Sequence, residues 1–130
     1  MDKKNLKNIS LALVLIMFIY SGFTKIFNFT KKVNTLQKKT SLPHSLNVIG
    51  MVLVIILEIV GSVLLLVDGF NTKKTYVSKD IINMIYIQFM VFLVVVTMLY
   101  HPPGTSMIPF LSNLTTLGAF AYIYSDKFIQ

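Results

Sequence analysis

The sequence predicts an all-α integral membrane protein built as a four-transmembrane-helix bundle. Three observations carry that expectation. Of the 130 residues, 55% are hydrophobic and 13% charged, about half the charged share of an ordinary soluble domain. The apolar residues fall into four blocks, at about 9–29, 46–67, 81–100 and 108–124, each near the ~20 residues a helix needs to cross a bilayer core. Only two charges, Lys25 and Glu58, fall inside those blocks. A soluble bundle would instead show polar outer faces at a 3.6-residue period, and these runs are apolar nearly all round.

The first block is wholly apolar over Leu11–Tyr20 and more mixed around Ser21, Gly22 and Lys25. Lys3, Lys4 and Lys7 ahead of it, with Ser21 and Gly22 after it, resemble a signal peptide. The missing Ala-x-Ala spacing and the continuation Lys25-Ile-Phe-Asn-Phe29 favour an uncleaved span. In the connector, Phe29, Val33, Leu36 and Thr40 recur at i, i+4, i+7 and i+11. That pattern predicts a short amphipathic helix on the bilayer surface, with Lys31, Lys32, Lys38 and Lys39 toward the headgroups. Pro43 suits the start of the second span, where a missing N–H costs nothing. Asp68-Gly69, with Asn71 and Thr72, closes that span, and His101-Pro-Pro-Gly104 stops the third. Ser106 is placed to cap the fourth, with Pro109 in its first turn. The whole reads as one domain, residues 1–130, with no internal repeat.

The net charge is +7, and all twelve basic residues are lysines. Four spans put both termini on one face, with Lys3, Lys4, Lys7, Lys73, Lys74, Lys79 and Lys127 there and Lys25, Lys31, Lys32, Lys38 and Lys39 opposite. The larger set favours cytoplasmic termini. Lysines divided between two sides of a membrane, with no binding domain, exclude a nucleic-acid reader. The lipid bilayer is the expected environment and anionic headgroups the expected counter-charge. The chain has no cysteine, so it cannot itself form disulfides, thiolate metal sites or iron–sulfur clusters, nor exchange thiols.

Glu58 is the residue that demands a reason. It lies near the midplane of the second span, out of snorkelling range, and intramembrane carboxylates face the bundle interior. Gly61 and Ser62, at i+3 and i+4, let another helix come close on the same face. With the first two spans flush, Lys25 lies roughly 12 Å above Glu58 and is free to snorkel outward. Tyr20, Ser21, Thr115 and Thr116 are nearer in depth. On the third span, Asn83, Tyr86, Met90, Thr97 and His101 fall within an arc of roughly 60°, a polar seam expected to face the bundle centre. The fourth span gathers Ser112, Thr115, Thr116 and Ala119 in a wider arc, flanked by Asn113 and Tyr122. Helix packing through small and hydroxyl residues is the plainer explanation of both faces. His44 and His101, without carboxylates beside them, do not make a metal site, and no phosphate loop or nucleophile elbow occurs.

The run Ser21-Gly-Phe-Thr-Lys25-Ile resembles the close of the first helix in DoxX-like membrane proteins. Glu58-Ile-Val-Gly61-Ser-Val-Leu-Leu-Leu-Val-Asp-Gly69 resembles that family's second helix, while His101 and Phe110-Leu-Ser-Asn113-Leu-Thr-Thr-Leu-Gly118 resemble its later signatures. Ser112, where a basic residue often stands, and Ala119, where a second glycine is common, depart from it and weaken a transferred binding role at that corner. The resemblance implies a compact four-helix membrane bundle associated with redox work. Its members include a small subunit of a thiosulfate:quinone oxidoreductase and partners of redox-defence proteins.

Three functions are compatible with these residues. The first is an accessory or assembly subunit of a membrane redox-linked complex, not catalytic on its own, whose partners are other membrane or redox subunits. The second is a quinone-linked oxidoreductase subunit, in which Glu58 relays a proton and Lys25, His101 and the Asn83–Tyr86–Thr97 seam line the pocket. No cofactor is encoded, and the pocket of this reading is one for a quinone or a small sulfur anion. The third is a small pore or holin, against which the C-terminus Ser125-Asp-Lys-Phe-Ile-Gln130 speaks, with one charge of each sign.

Overall fold

The fold is seen in a computed structural model that describes residues 2–70, 78–104 and 107–129. Among them it contains five helices and no strand: α1 Lys3–Phe27, α2 Phe29–Thr40, α3 His44–Phe70, α4 Lys79–Tyr100 and α5 Met107–Phe128. The helices begin and end at caps rather than where apolarity begins and ends. Asp2 accepts the Asn5 N–H at 2.8 Å to start α1, six residues ahead of the apolar block. Ser78 accepts the Ile81 N–H to start α4. At the far end of α2, Ser41 turns left-handed (φ 58°), and Pro43 stands as the residue before α3. His101 closes α4, and Gly104 takes the positive φ (97°) that a turn after two prolines requires. Ser106, Asn71 and Thr72, expected as cap and terminator, lie outside the described residues.

Three helices, α1, α3 and α4, are long and apolar enough to cross a membrane, where the sequence suggested four. Helix α5 has the same 22 residues as α4. Its Ser112, Asn113, Thr115 and Thr116 dilute the apolar run and keep it out of that group. The spans are also apolar outward: Leu13, Ile16, Leu53, Val91 and Met98 are all more than half exposed, as lipid-facing residues are.

The chain forms two compact units, residues 1–76 and 77–130. In the first, α1 and α3 run antiparallel, with Gly22 against Glu58 and Ile59 at one level and Gly69 against Leu11 and Asn8 at another. About 21 Å of α3 lies before Glu58 but only about 8 Å of α1 lies beyond Gly22, at ~1.5 Å per residue. Helix α3 therefore overhangs α1 by about 13 Å, and α2 packs along that overhang. The expected amphipathic connector is thus a real helix, with Val33 buried and its lysines exposed. A polar latch fixes it. Asn47, fully buried, accepts the Thr40 hydroxyl at 2.7 Å and donates to the carbonyls of Leu42 and Pro43.

In the second unit, α4 and α5 form an antiparallel hairpin. Ile82, Ile85, Tyr86, Phe89, Leu93 and Thr97 make one buried stripe at i, i+3/i+4 spacing. Phe120 stacks on Phe89 with centroids 5.1 Å apart and meets Tyr86 edge-on at 6.3 Å. Tyr86 also meets Tyr124 and Phe128 edge-on, arrangements each worth about 1 kcal/mol beyond burial.

The closest approach of α1 and α3 gives a test. A Cβ on Gly22 would fall 2.5 Å from Ile59 Cγ1 and 3.4 Å from Glu58 Cβ, whereas Gly50 has nothing within 4 Å. Gly22→Val is expected to lower stability by about 2 kcal/mol or more, read by thermal unfolding in detergent. Gly50→Ala should leave the midpoint unchanged or raise it slightly.

Candidate functional site

The polar centre of the first unit is an ion pair. Lys25 Nζ lies 2.7 Å from Glu58 Oε1, with the lysine side chain 20% exposed and the glutamate 1%. The contact is that of an ion pair, and Glu58 Oε1 has no hydrogen-bond partner. The ammonium also donates to Ser21 Oγ one turn back on α1. The roughly 12 Å separation expected from flush spans is corrected by two features. The overhang of α3 brings Glu58 level with Gly22, and a helical side chain leans toward the N-terminus of its own helix. Lys25 therefore reaches down over Ser21 and Gly22 to the carboxylate instead of snorkelling away.

Glycine at position 22 makes this geometry available, because any larger residue would hold α3 off. Glu58 itself sits in a single π-turn, Leu57–Gly61, a widened turn of the kind that recurs at functional sites. Ser62 follows it, fully buried, and its hydroxyl has no hydrogen-bond partner. Thr24 spends its own hydroxyl on the carbonyls of Tyr20 and Ser21. Tyr20, expected near Glu58 in depth, is 72% exposed and points away.

In the second unit the seam residues on α4 are covered to different degrees. Tyr86 and Thr97 are buried, and Asn83, Met90 and His101 are partly covered. Asn83 Oδ1 is buried without a hydrogen-bond partner. Tyr86 belongs to the aromatic cluster, and the Thr97 carbonyl accepts the His101 N–H at 2.9 Å. The polar arc of α5 behaves otherwise. Ser112 and Thr115 are exposed, Asn113 is half-covered, and the Thr115 and Thr116 hydroxyls donate to Leu111 and Ser112 on their own helix. The Thr115 and Thr116 hydroxyls are thus satisfied on their own helix. His44 is exposed, with Nδ1 3.2 Å from Gln37 Oε1, and no group of three metal-ligating side chains occurs among the described residues.

Asn47 went unread in the sequence. Its signal was an amide four residues after Pro43, just inside an apolar run, where a solvated side chain would have had little reason to be.

Residues 3–101 match the family model described as methylamine utilisation protein MauE. No curated protein and no solved structure matches the chain. The match corrects the resemblance to DoxX-like proteins, because the family is MauE, a DoxX-related membrane family. It ends at His101, ahead of the Phe110–Gly118 stretch on which part of that resemblance rested.

Breaking a buried ion pair from one side leaves the other charge uncompensated, which costs about 3–5 kcal/mol, whereas replacing both partners by apolar residues is often neutral. Lys25→Met alone is therefore expected to destabilise the chain by about 3 kcal/mol. The double variant Lys25→Met/Glu58→Met should return to within about 1 kcal/mol of the parent. Unfolding of the four cycle members in one detergent measures both, and a single variant as stable as the parent would refute the pairing.

Proposed function

The chain belongs to the MauE family of membrane proteins, and on that footing we propose that it is a non-catalytic membrane subunit that serves methylamine utilisation. It acts by holding or assembling redox-linked partner proteins at the membrane. In this reading α5 is the fourth span and both termini face the cytoplasm, as the lysine distribution favours. One observation carries the proposal: the membrane-embedded charges of the first unit are spent on each other, Lys25 on Glu58 at 2.7 Å. A pair so engaged holds helices in register and leaves no free acid or base for turnover. The lack of cysteine adds that any thiol or electron chemistry is performed by other chains.

A specific observation also favours a second reading, the quinone-linked subunit. The unpartnered Ser62 hydroxyl, one turn beyond Glu58, together with the partial exposure of Lys25, offers polar groups to the head of an apolar ligand.

Complementation separates the two. Deleting the gene in its own host is expected to abolish growth with methylamine as sole nitrogen source. In the accessory reading the Lys25→Met/Glu58→Met double variant, which keeps the fold without the charges, restores that growth. A double variant that accumulates normally yet fails to restore growth supports the quinone reading instead, and undiminished growth of the deletion strain contradicts a role in methylamine utilisation.

A further inference from the structure

Three lysines of α2, Lys31, Lys32 and Lys38, have no counter-charge among the described residues. No acidic residue occurs in the sequence between Asp2 and Glu58, and Glu58 is engaged by Lys25. Lys31, Lys32 and Lys38 are exposed, and no carboxylate among the described residues pairs with them. At 100° per residue these three and Lys39 share an arc of about 120°, opposite Phe29, Val33 and Thr40. The helix is not a loose tether. It is continuous through Asn28 with the end of α1, packs along the overhang of α3, and is held there by the buried Asn47 latch. The lysines are thereby held beside the end of a membrane-spanning helix, the region in which lipid headgroups lie.

We propose that α2 is a rigid binding shelf for anionic phospholipid headgroups, with Lys31, Lys32 and Lys38 as the residues that contact phosphate. Headgroups, rather than an acidic protein, are the occupant because the shelf is tied at both ends to α1 and α3, whose apolar faces require a bilayer directly alongside. The headgroup layer therefore reaches the lysines without any further recognition event. An immobilised cation array also loses less side-chain and backbone freedom on binding than a flexible basic tail would. The site is independent of the accessory-subunit reading and stands or falls separately.

The test uses the full chain, dye-labelled in zwitterionic detergent at low salt, titrated with dihexanoyl phosphatidylglycerol and read by thermophoresis. Dihexanoyl phosphatidylcholine, inorganic phosphate and an oligoglutamate peptide serve as comparison probes. The parent is expected to prefer phosphatidylglycerol to all three. Each lysine changed to glutamine within Lys31→Gln/Lys32→Gln/Lys38→Gln is expected to weaken that binding by about fivefold. The equally discharged variant Lys3→Gln/Lys4→Gln/Lys7→Gln binds as the parent does. Helical circular dichroism of both variants identifies any loss due to misfolding, in which case the single variants Lys31→Gln, Lys32→Gln and Lys38→Gln decide by the same fivefold criterion. A triple variant that folds and binds like the parent overturns the proposal. So does phosphatidylcholine or inorganic phosphate binding equally well, or tighter binding of the oligoglutamate, which would assign the shelf to an acidic protein.

Discussion

A carboxylate in the middle of an apolar helix constrains everything around it. Glu58 needs a cation, and the available cation is near the end of α1, so α1 and α3 must come together at the level where Lys25 can reach down to it. That approach requires a residue without a side chain at the crossing point, which is Gly22. It also dictates the offset between the helices, since meeting at Gly22 and Glu58 leaves about two turns of α3 uncovered. Helix α2 fills that space, with Val33 inward and Asn47 pinning the turn. The returns from such a pair roughly balance its desolvation. Its contribution is register: sliding α3 along α1 by one turn would leave a bare charge in hydrocarbon.

This arrangement bears on function through what it leaves over. A glutamate and a lysine that satisfy one another hold α1 and α3 together, and a sequence without cysteine supplies no thiol of its own. The proposed role follows from that economy: the protein contributes position in the membrane, and its partners contribute the chemistry. The buried hydroxyl of Ser62 and amide oxygen of Asn83 stand outside that economy, and the Ser62 hydroxyl is why a small polar-headed ligand is retained as the second reading.

Much of the fold was legible because hydrophobic blocks, lysine-rich connectors and turn residues are local signals. The apolar runs located α1, α3 and α4, and the i, i+4, i+7 pattern located α2 down to its buried Val33. Helix ends were less legible, since Asp2 and Ser78 cap where hydrogen bonding allows and not where the bilayer begins. Glu58 and Lys25 each stood out as charges in apolar surroundings. Their contact did not, because depth counted along flush helices misses the offset set by the crossing at Gly22 and Glu58. The arc on α5 was hard to read for another reason: hydroxyls at helical spacing bond their own backbone, as Thr115 and Thr116 do, as readily as a neighbouring helix, and the spacing alone does not distinguish the two. The family is a similar case, where motifs shared by related membrane families pointed to DoxX and the match over residues 3–101 gives MauE.

Native mass spectrometry of the protein, released gently from its own membrane, addresses the central claim most directly, because it weighs whatever the chain holds. A membrane subunit whose charges are spent internally should carry a defined protein partner and no small redox ligand. A retained mass the size of a quinone, with no protein partner, would contradict that account and place the chemistry in this chain.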